Sequence, residues 1–372
     1  MSMKPLSVLH TESSIGWGGQ ELRILTEMEG MARRGHRVQL VTASSADILP
    51  AARARGIPVA GLPIEAKKLP GLRAMRAWLG QHGRSFDVIN THSSTDAWLV
   101  ALARLGRSGM PPVVRTRHVS TPVNTSTATR WLYTTATTEI VVTGEALKAQ
   151  LVRDNGLDPA RITSVRTGID LARFRPLDRV AARAAHGVDV RPAVAILATL
   201  RDWKGHDELL DAWVLLRKRI PGWQLLIIGD GPRRAHLKAR VAFLGLAGDV
   251  RFTGNQDDVP AWLACAEVAV LPSWGDEGVP QSLMQAAACG LPAVSTTIGA
   301  IGEAVRDGET GFLIPPKDVP ALADALARLM TDESLRARMG AAANAYAQGN
   351  FGLDRMLDGM ERVFARVTGA RV

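Results

Sequence analysis

The chain has 372 residues, a formal net charge of +9 and a hydrophobic content of 46%. This length allows two domains of ordinary size, and the composition is typical of globular proteins rather than of disordered ones. No apolar run is long enough for a membrane-spanning helix, and the first residues lack the apolar core of a secretion signal. Cys265 and Cys289 lie in apolar helical contexts and are interpreted as reduced core residues of a cytoplasmic protein.

Short apolar runs alternate with helical patterns along the whole chain. In the first half, helical patterns such as 20–34 and 95–105 separate predicted strands at residues 6–10, 38–42, 87–91, 113–115 and 140–143. In the second half, further helical patterns separate predicted strands at residues 193–200, 224–229, 250–253, 268–272 and 292–295. This alternation predicts parallel sheets, and the strands are too many for a single doubly wound sheet.

We therefore expect an α/β fold of two Rossmann-like domains with doubly wound parallel sheets, facing an interdomain cleft. Glycine, proline and charges cluster near residues 167–176, which places a first domain at residues 1–172 and a second at residues 173–350. An amphipathic helix is predicted within residues 351–372, and it can pack either back on the first domain or on the second. Ligands of such sheets bind at the carboxyl ends of the strands, where functional residues are expected.

Positive charge is concentrated in the first half of the chain. Residues 1–175 carry 23 Lys and Arg against 13 Asp and Glu, whereas residues 176–372 carry 22 against 23. Such asymmetry predicts an anionic partner for the first half. Residues 67–79 interleave cations with apolar residues, which favours an anionic membrane surface, although a helix packed on the sheet gives the same pattern. No nucleic-acid-binding motif accompanies the charge, so no nucleic-acid partner is expected.

The first predicted strand leads into a glycine-rich turn that contains Gly18 and Gly19 and precedes a helix. Glycines let the backbone approach a ligand closely, and the helix that follows offers free amides to a phosphate. The spacing is not that of a dinucleotide-binding G-x-G-x-x-G loop. Because similar turns occur in every Rossmann fold, this motif alone is a weak indication of function.

Polar residues also follow the next two strands of the first half. His92 and Asp96 follow the strand that ends at residue 91, and His118 follows the strand at 113–115. At the cleft edge these side chains are predicted to form an acceptor pocket, with ordinary surface residues as the alternative interpretation. Further ligands for a zinc site are missing, and no Asp-x-Asp pair lies at a strand end, so no metal is expected.

The second half carries two cations and an acid in comparable positions. Arg201 and Lys204 follow the strand at 193–200 and suit a diphosphate, although a solvated charged turn is the alternative. Glu277 lies on a loop directly before a predicted helix, and Gln285 lies about two turns along that helix. The helix N-terminus favours phosphate, while the Glu277 carboxylate can accept bonds from hydroxyl groups. A site that holds phosphate beside a polyol is what a nucleotide-sugar-binding protein needs.

Taken in chain order, these motifs resemble the retaining GT-B glycosyltransferases of family 4, of the bacterial envelope-glycan type. In the second half the resemblance rests on residues 199–206, 228–232, 252–254, 271–273, 277–280, 288–292 and 308–313. In the first half it rests more loosely on Gly18 and Gly19, on residues 34–36 and on residues 167–176. The resemblance therefore covers nearly the whole chain.

The resemblance implies transfer of a sugar, most often a hexose, from a nucleotide-diphosphate sugar to a glycan or lipid-linked acceptor with retention of anomeric configuration. It implies no metal or other cofactor and favours UDP-sugars over GDP-sugars. The expected context is the biosynthesis of lipopolysaccharide or another cell-envelope glycan. A peripheral position on the inner face of the cytoplasmic membrane follows from that context.

The resemblance also implies roles for individual residues. Arg201 and Lys204 would neutralise the diphosphate, and Gly18 and Gly19 would close on it. Glu277 would hold donor-sugar hydroxyls, and His118 resembles the family's histidine near the reacting carbon; these two are the candidate catalytic residues. Further donor contacts are implied for Gly278, Val279, Gln281, Ser282 and Gln285. His92 and Asp96 are the candidate acceptor contacts.

Two positions depart from the family pattern. Gln285 stands where the family usually has a glutamate that binds ribose, and Thr199 stands where it usually has an arginine. Glutamine still accepts and donates hydrogen bonds, and the lost charge costs about 1 kcal/mol. These departures leave a second hypothesis open, a non-catalytic sugar-nucleotide-binding partner in a glycan assembly complex. The retained Glu277, Lys204 and His118 favour the enzyme.

Overall fold

A computed structural model describes residues 4–275 and 277–370 of the chain. The chain divides into two compact units, the first formed by residues 1–168 together with 353–372 and the second by Ile169–Gly352. Each unit is built around one fully parallel sheet, which confirms the predicted fold class. Residues 371–372 of the predicted last helix lie outside the described residues.

Seven strands form the sheet of the first unit. They are β1 (Ser7–Glu12), β2 (Arg37–Ala43), β3 (Val59–Leu62), β4 (Val88–Thr91), β5 (Val113–Arg117), β6 (Glu139–Val142) and β7 (Ile162–Ser164). Their order is β3-β2-β1-β4-β5-β6-β7, so the direction of winding reverses between β1 and β4. In a doubly wound sheet, the crevice that binds ligands lies at the carboxyl ends of the two strands at this reversal.

The first unit's helices alternate with its strands. They are α1 (Gly19–Arg33), α2 (Ile48–Ala54), α3 (Leu69–His82), α4 (Ser94–Arg104), α5 (Thr127–Trp131) and α6 (Glu145–Asn155). Helix α3 corresponds to the predicted basic helix, and it buries Gly71, Met75 and Leu79, which are spaced four residues apart. This spacing turns one face of α3 toward the sheet and leaves the cations on the opposite face.

Six strands form the sheet of the second unit. They are β8 (Ala193–Leu197), β9 (Gln224–Ile228), β10 (Val250–Gly254), β11 (Val268–Leu271), β12 (Ala293–Thr296) and β13 (Gly311–Ile314). Their order is β10-β9-β8-β11-β12-β13, and the winding reverses between β8 and β11. The helices of this unit are α7 (Arg179–His186), α8 (His206–Arg219), α9 (Arg234–Phe243), α10 (Val259–Ala264), α11 (Gln281–Ala288), α12 (Val319–Thr331) and α13 (Glu333–Asn350).

The last helix, α14 (Leu353–Thr368), belongs to the first unit. Its Leu357 side chain packs against Gly30 of α1, where an added Cβ would lie 2.6 Å from Leu357 Cδ1. Arg34, just after α1, pairs with Asp354 and Asp358 of α14 at 2.7 Å each. Close apolar packing and opposite charges thus attach α14 to α1. Among the described residues, no helix is both long and apolar enough to cross a membrane.

Candidate active site

Two loops meet at the strand-order reversal of the second unit. One loop joins β8 to α8, and the other joins β11 to α11. Strands β8 and β11 are parallel neighbours, so their carboxyl ends lie at the same edge of the sheet. Lys204 lies on the first loop and Glu277 on the second, which brings two predicted donor-site residues to this edge.

Lys204 and Glu277 form an ion pair there. Lys204 Nζ lies 2.5 Å from Glu277 Oε1, and the Ser273 hydroxyl donates to the same oxygen at 2.7 Å. The Glu277 side chain is 9% exposed and the Lys204 side chain 20%. Partial burial strengthens the attraction between these charges relative to a fully solvated pair. The cation predicted to bind a diphosphate, Lys204, and the carboxylate predicted to bind sugar hydroxyls, Glu277, are therefore in direct contact.

Two glycines let the backbone around this pair pack closely. Gly205 has φ +77°, and an added Cβ would lie 2.1 Å from the Pro272 carbonyl oxygen. Gly299 has φ +56°, and an added Cβ would lie 2.1 Å from the Glu277 carbonyl oxygen. Only glycine fits at both positions, because of both the backbone conformation and the lack of space. The sequence alone does not predict Gly299 as a site residue, because the need for glycine there arises from a contact with Glu277 in the folded structure.

The amino end of α11 carries the other predicted donor contacts. Helix α11 has eight residues and follows Pro280. Gln281, Ser282 and Gln285 are half-buried on it, whereas Val279 is 6% exposed and packs in the core of the unit. Val279 can therefore contact a ligand through its backbone but not through its side chain. Gly278 is half-buried and can likewise contact a ligand through its backbone. The amino end of α11 carries the positive end of the helix dipole, which favours an anion.

Arg201 is exposed at the same edge. Its guanidinium lies 5.3 Å from the ring centre of Trp203. Arg233, which follows β9, is neutralised by Asp202 at 2.5 Å and by Asp207 at 2.6 Å. Within the described part of the chain Arg201 makes no such ion pair, so its charge is available to a ligand.

Three histidines form a hydrogen-bonded row at the strand-order reversal of the first unit. His10 lies on β1, His92 follows β4 and His118 follows β5. His10 Nδ1 lies 3.0 Å from His92 Nε2, and His92 Nδ1 lies 3.0 Å from His118 Nε2. Burial lowers the pKa of His10 to about 3 and holds the pKa values of the other two well below the usual range, so the row is uncharged at neutral pH. Over the described residues, no group of His, Cys, Asp or Glu is arranged to hold a metal.

Asp96 and Glu12 lie in the interior beneath the glycine turn. Asp96 is fully buried and accepts bonds from the Thr11 hydroxyl at 2.6 Å, the His92 amide at 3.0 Å and the Ser93 amide at 2.8 Å. Glu12 accepts a bond from the Ser93 hydroxyl. Burial raises the pKa of Glu12 to about 8 and that of Asp96 to about 6. Asp96 thus holds the segment that carries His92, and its interior position disfavours the direct acceptor contact that the sequence predicts.

The predicted glycine turn lies at the same edge of the first unit. Gly18 is the residue before α1 and has an extended backbone, with φ −174°, and Gly19 is the first residue of the helix. Because β1 and β4 are parallel neighbours, the turn after β1 lies beside the loop after β4 that carries His92. The amino end of α1 and the histidine row therefore share one edge of the sheet.

A cavity of about 580 Å³ opens beside the histidine row. His92 and His118 both line it, together with Gln20 of α1 and Trp98 of α4. His10 is fully buried behind His92 and does not line the cavity. Two of the three predicted first-unit side chains therefore face a space that can hold a ligand.

Family models match both halves of the chain. Residues 17–173 match the model described as Glycosyltransferase Family 4, and residues 191–332 match the one described as Glycosyl transferases group 1. The D-inositol 3-phosphate glycosyltransferase of Salinispora arenicola is 30% identical, over 98% of this chain and 90% of that protein. The GDP-mannose-dependent alpha-(1-6)-phosphatidylinositol monomannoside mannosyltransferase of Mycolicibacterium smegmatis is 34% identical, over 50% of this chain and 51% of that protein.

Solved structures share the fold over nearly the full length. A glycosyltransferase from Rickettsia africae has a TM-score of 0.86 at 18% identity, covering 98% of both chains. Anabaena HepE in complex with UDP-glucose has a TM-score of 0.84 at 21% identity, covering 97% of this chain and all of that one. At these identities the likeness establishes the two-domain glycosyltransferase architecture and nothing finer.

Proposed function

The chain belongs to Glycosyltransferase Family 4 and is a glycosyltransferase that uses a nucleotide sugar; from this premise we propose that it transfers a hexose from a UDP-sugar to a glycan or lipid-linked acceptor with retention of anomeric configuration. The ion pair of Lys204 and Glu277 carries the proposal. It holds a cation suited to a diphosphate beside a carboxylate suited to sugar hydroxyls.

The second unit, on this proposal, binds the donor. Lys204 and Arg201 offset the negative charge that the diphosphate gains as its bond to the sugar breaks, an electrostatic contribution that needs no metal ion. Glu277 accepts hydrogen bonds from the sugar hydroxyls. The positive end of the α11 dipole stabilises the charged part of the donor, and the small Gly18 and Gly19 let an anion approach the amino end of α1.

The first unit, on the same proposal, binds the acceptor in the cavity beside His92 and His118. Both ring nitrogens of His92 are engaged in the row, so His118 is the neutral imidazole that can donate a hydrogen bond to, or accept one from, an acceptor hydroxyl without adding charge. The relatives are named for D-inositol 3-phosphate and for a phosphatidylinositol monomannoside, which supports a hydroxyl-rich acceptor. The motif resemblance supports a role in the synthesis of lipopolysaccharide or another cell-envelope glycan.

Turnover of UDP-hexoses with a panel of glycan and lipid-linked acceptors tests this function. We expect one UDP-hexose to be consumed, proton NMR of the product to show the donor's anomeric configuration, and EDTA to leave the rate unchanged. An inverted product would reject retention, and loss of activity in EDTA would reject metal independence. Binding of UDP-hexose without turnover of any acceptor would favour the non-catalytic alternative.

Replacing Gln285 by glutamate is expected to tighten UDP binding about fivefold, because a charged acceptor adds about 1 kcal/mol to a hydrogen bond with ribose hydroxyls. Gln285 is half-buried on α11, where a ligand can reach its side chain. Isothermal titration with UDP measures the effect. Gln348→Glu, at an exposed position of α13 in the same unit, is the matched control for added charge alone. Equal tightening in both variants would show that Gln285 does not bind ribose.

We propose further that the exposed face of α3 attaches the protein to an anionic membrane surface, such as the inner face of the cytoplasmic membrane. Lys68, Arg73 and Leu69 are exposed there, and Leu69 retains 56% of its surface. The Trp78 side chain is half-buried, and its ring centre lies 6.1 Å from that of Phe86, so it offers little apolar surface to lipid. The attachment is therefore mainly electrostatic.

Co-sedimentation with phosphatidylglycerol vesicles checks this attachment. Lys68→Ala combined with Arg73→Ala should weaken binding at least about tenfold, since each cation near such a surface contributes about 1 kcal/mol. Lys218→Ala combined with Lys238→Ala removes the same charge from exposed positions of the second unit and should have little effect. Equal binding to neutral vesicles, or insensitivity to salt, would contradict the proposal.

A further inference from the structure

The cavity beside the histidine row has a strongly positive lining. Lys67, Arg115 and Arg117 all line it. Among the described residues its lining includes no Asp or Glu, and the two histidines that line it are uncharged at neutral pH. Arg115 partly offsets the rise that burial causes in the pKa of Asp96, but Asp96 does not line the cavity. Its carboxylate is buried behind the lining and accepts bonds from Thr11 and from backbone amides. The cavity wall therefore presents three cations and, among the described residues, no counter-ion.

Arg115 is the most informative of the three. It lies on β5 and is only 3% exposed, and its guanidinium lies 4.7 Å from the ring centre of Tyr133. Its Nε and Nη1 atoms are buried and have no hydrogen-bond partner among the described residues. Buried charged donors are normally satisfied, because leaving one unpaired costs a large part of its hydration free energy. A ligand that brings acceptor oxygens to Arg115 would remove that cost.

Lys67 and Arg117 hold the other two charges close by. Lys67 Nζ donates to the Ser94 hydroxyl at 3.0 Å, and Arg117 Nη1 donates to the Tyr133 hydroxyl at 2.8 Å. Burial, and after it the positive charge of Arg115, lowers the pKa of Lys67. The cations thus repel one another across the cavity, and an anion between them would relieve that repulsion.

The rest of the lining is uncharged and mixes polar with apolar side chains. Its polar part comes mainly from hydroxyl and amide groups, those of Ser93, Ser94, Thr121, Asn124, Ser126 and Thr129, and its apolar part includes Val119, Pro122, Val123 and Leu132. Trp98 adds an aromatic surface, with Lys67 Nζ 5.9 Å from its ring centre. Such groups suit a polyol, whose hydroxyls need both donors and acceptors and whose C–H faces pack on aromatic rings.

We propose that this cavity binds the acceptor through an anionic group, a phosphate or a carboxylate carried on a polyol, with Arg115, Lys67 and Arg117 as its ligands. This inference rests on the proposed function, since it assigns the substrate class of the acceptor site. Arginine matches the planar, two-oxygen geometry that both anions present. Binding the anion here leaves the polyol beside His92 and His118. A neutral sugar alone would leave the three cations unpaired.

Isothermal titration at constant ionic strength, with UDP saturating the donor site, tests the proposal. The probes are glucose, glucose 6-phosphate and glucuronate. We expect at least one anionic probe to bind about tenfold or more tightly than glucose, since a hydrogen bond to a charged group contributes about 1.5–3 kcal/mol. The preference between glucose 6-phosphate and glucuronate identifies the anion as phosphate or carboxylate.

Two variants and a matched control locate the site. Lys67→Ala should weaken the anionic probe about tenfold, and Lys68→Ala, which removes the neighbouring exposed lysine outside the cavity lining, should not. Arg115→Gln should weaken binding of the anionic probe further. If Arg115→Gln fails to fold, Lys67→Ala still tests the proposal, because Lys67 is exposed and its replacement should not disturb folding. Equal affinity for glucose and both anionic probes, or equal losses in Lys67→Ala and Lys68→Ala, would overturn the proposal.

A separate measurement keeps the two proposals distinguishable. Release of UDP from a UDP-hexose with any acceptor reports on the transferase function and does not depend on anion preference. Turnover without any preference for an anionic acceptor would reject the anion site alone. Tight anion binding that is lost in Lys67→Ala, in a protein that turns over no UDP-hexose, would reject the transferase function and retain the anion site.

Discussion

Replacing Lys204 by alanine is expected to lower kcat about 10²–10³-fold, the usual effect of removing one preorganised electrostatic contact at a reacting group. The Lys204 ammonium is held at the strand-order reversal of the second unit by Glu277. Negative charge grows on the diphosphate as the bond to the sugar breaks, so the loss should appear mainly in kcat rather than in KM. Glu277 keeps its bond from the Ser273 hydroxyl in this variant, so the contact to the sugar that we propose for it should be retained.

Steady-state kinetics with varied UDP-hexose and saturating acceptor measure this effect. Lys218→Ala is the matched control, because Lys218 is exposed in the last turn of α8, the helix that begins just after Lys204. Lys204→Arg keeps the charge and should lose less activity than Lys204→Ala. Thermal unfolding of each variant separates a kinetic loss from a loss of folded protein. A kcat for Lys204→Ala equal to that of Lys218→Ala would show that Lys204 does not act on the diphosphate.

The sequence predicts the inner strands of both sheets and misses three edge strands. The missed strands are β3, β7 and β13, and each lies at the end of its sheet. Inner strands of a parallel sheet are covered on both faces and appear as continuous apolar runs. Edge strands need fewer apolar residues: β3 has no fully buried residue, and β7 has three residues of which only Ile162 is buried. These strands form because they pair with a neighbouring strand, and the local sequence pattern does not predict that pairing.

The sequence also identifies the site residues that belong to local motifs, but not those that depend on distant contacts. Lys204 and Glu277 follow strands directly, so topology brings them together once the sheet is formed. His10 is not predicted as a site residue, because it lies inside an apolar strand and contacts His92 only in the folded sheet. The burial of Arg23 is not predicted either, because a charged residue in an amphipathic helix is normally assigned to the solvent face. Such positions are set by packing between elements.

Arg23 and Glu27 form a buried ion pair on α1. Both side chains have no exposed surface, and Arg23 Nε lies 3.8 Å from Glu27 Oε2. Arg23 also donates to the Val165 carbonyl at 2.8 Å and to the Thr167 hydroxyl at 3.1 Å, while Asn90 donates to Glu27 at 3.4 Å. Burial raises the pKa of Glu27 to about 7 despite the neighbouring cation. Even beside Arg23, the carboxyl group is therefore only partly ionised near neutral pH.

Arg23→Met should lower the free energy of unfolding by about 3–5 kcal/mol at neutral pH, because it removes the cation of a buried pair together with its bonds to Val165 and Thr167. Without that cation the pKa of Glu27 should rise further above the value of 4.5 that it has in the unfolded chain. The folded protein then holds a proton that the unfolded chain releases, so stability is fully retained below pH 4.5 and falls as pH rises through the folded-state pKa. Urea unfolding at pH 5 and pH 8 should show the larger loss at pH 8.

The double variant Arg23→Met with Glu27→Gln separates the charge effect from lost packing. It removes the titrating carboxyl group, while the amide oxygen of the introduced glutamine can still accept the bond from Asn90. Its free energy of unfolding should therefore lack the decrease between pH 5 and pH 8 that Glu27 causes in the wild type and in the single variant. The bonds from Arg23 to Val165 and Thr167 are absent in both variants, so they do not contribute to the difference between them. If the single variant is destabilised equally at both pH values, the unpaired carboxylate is not the cause, and the role of Arg23 is packing and hydrogen bonding alone.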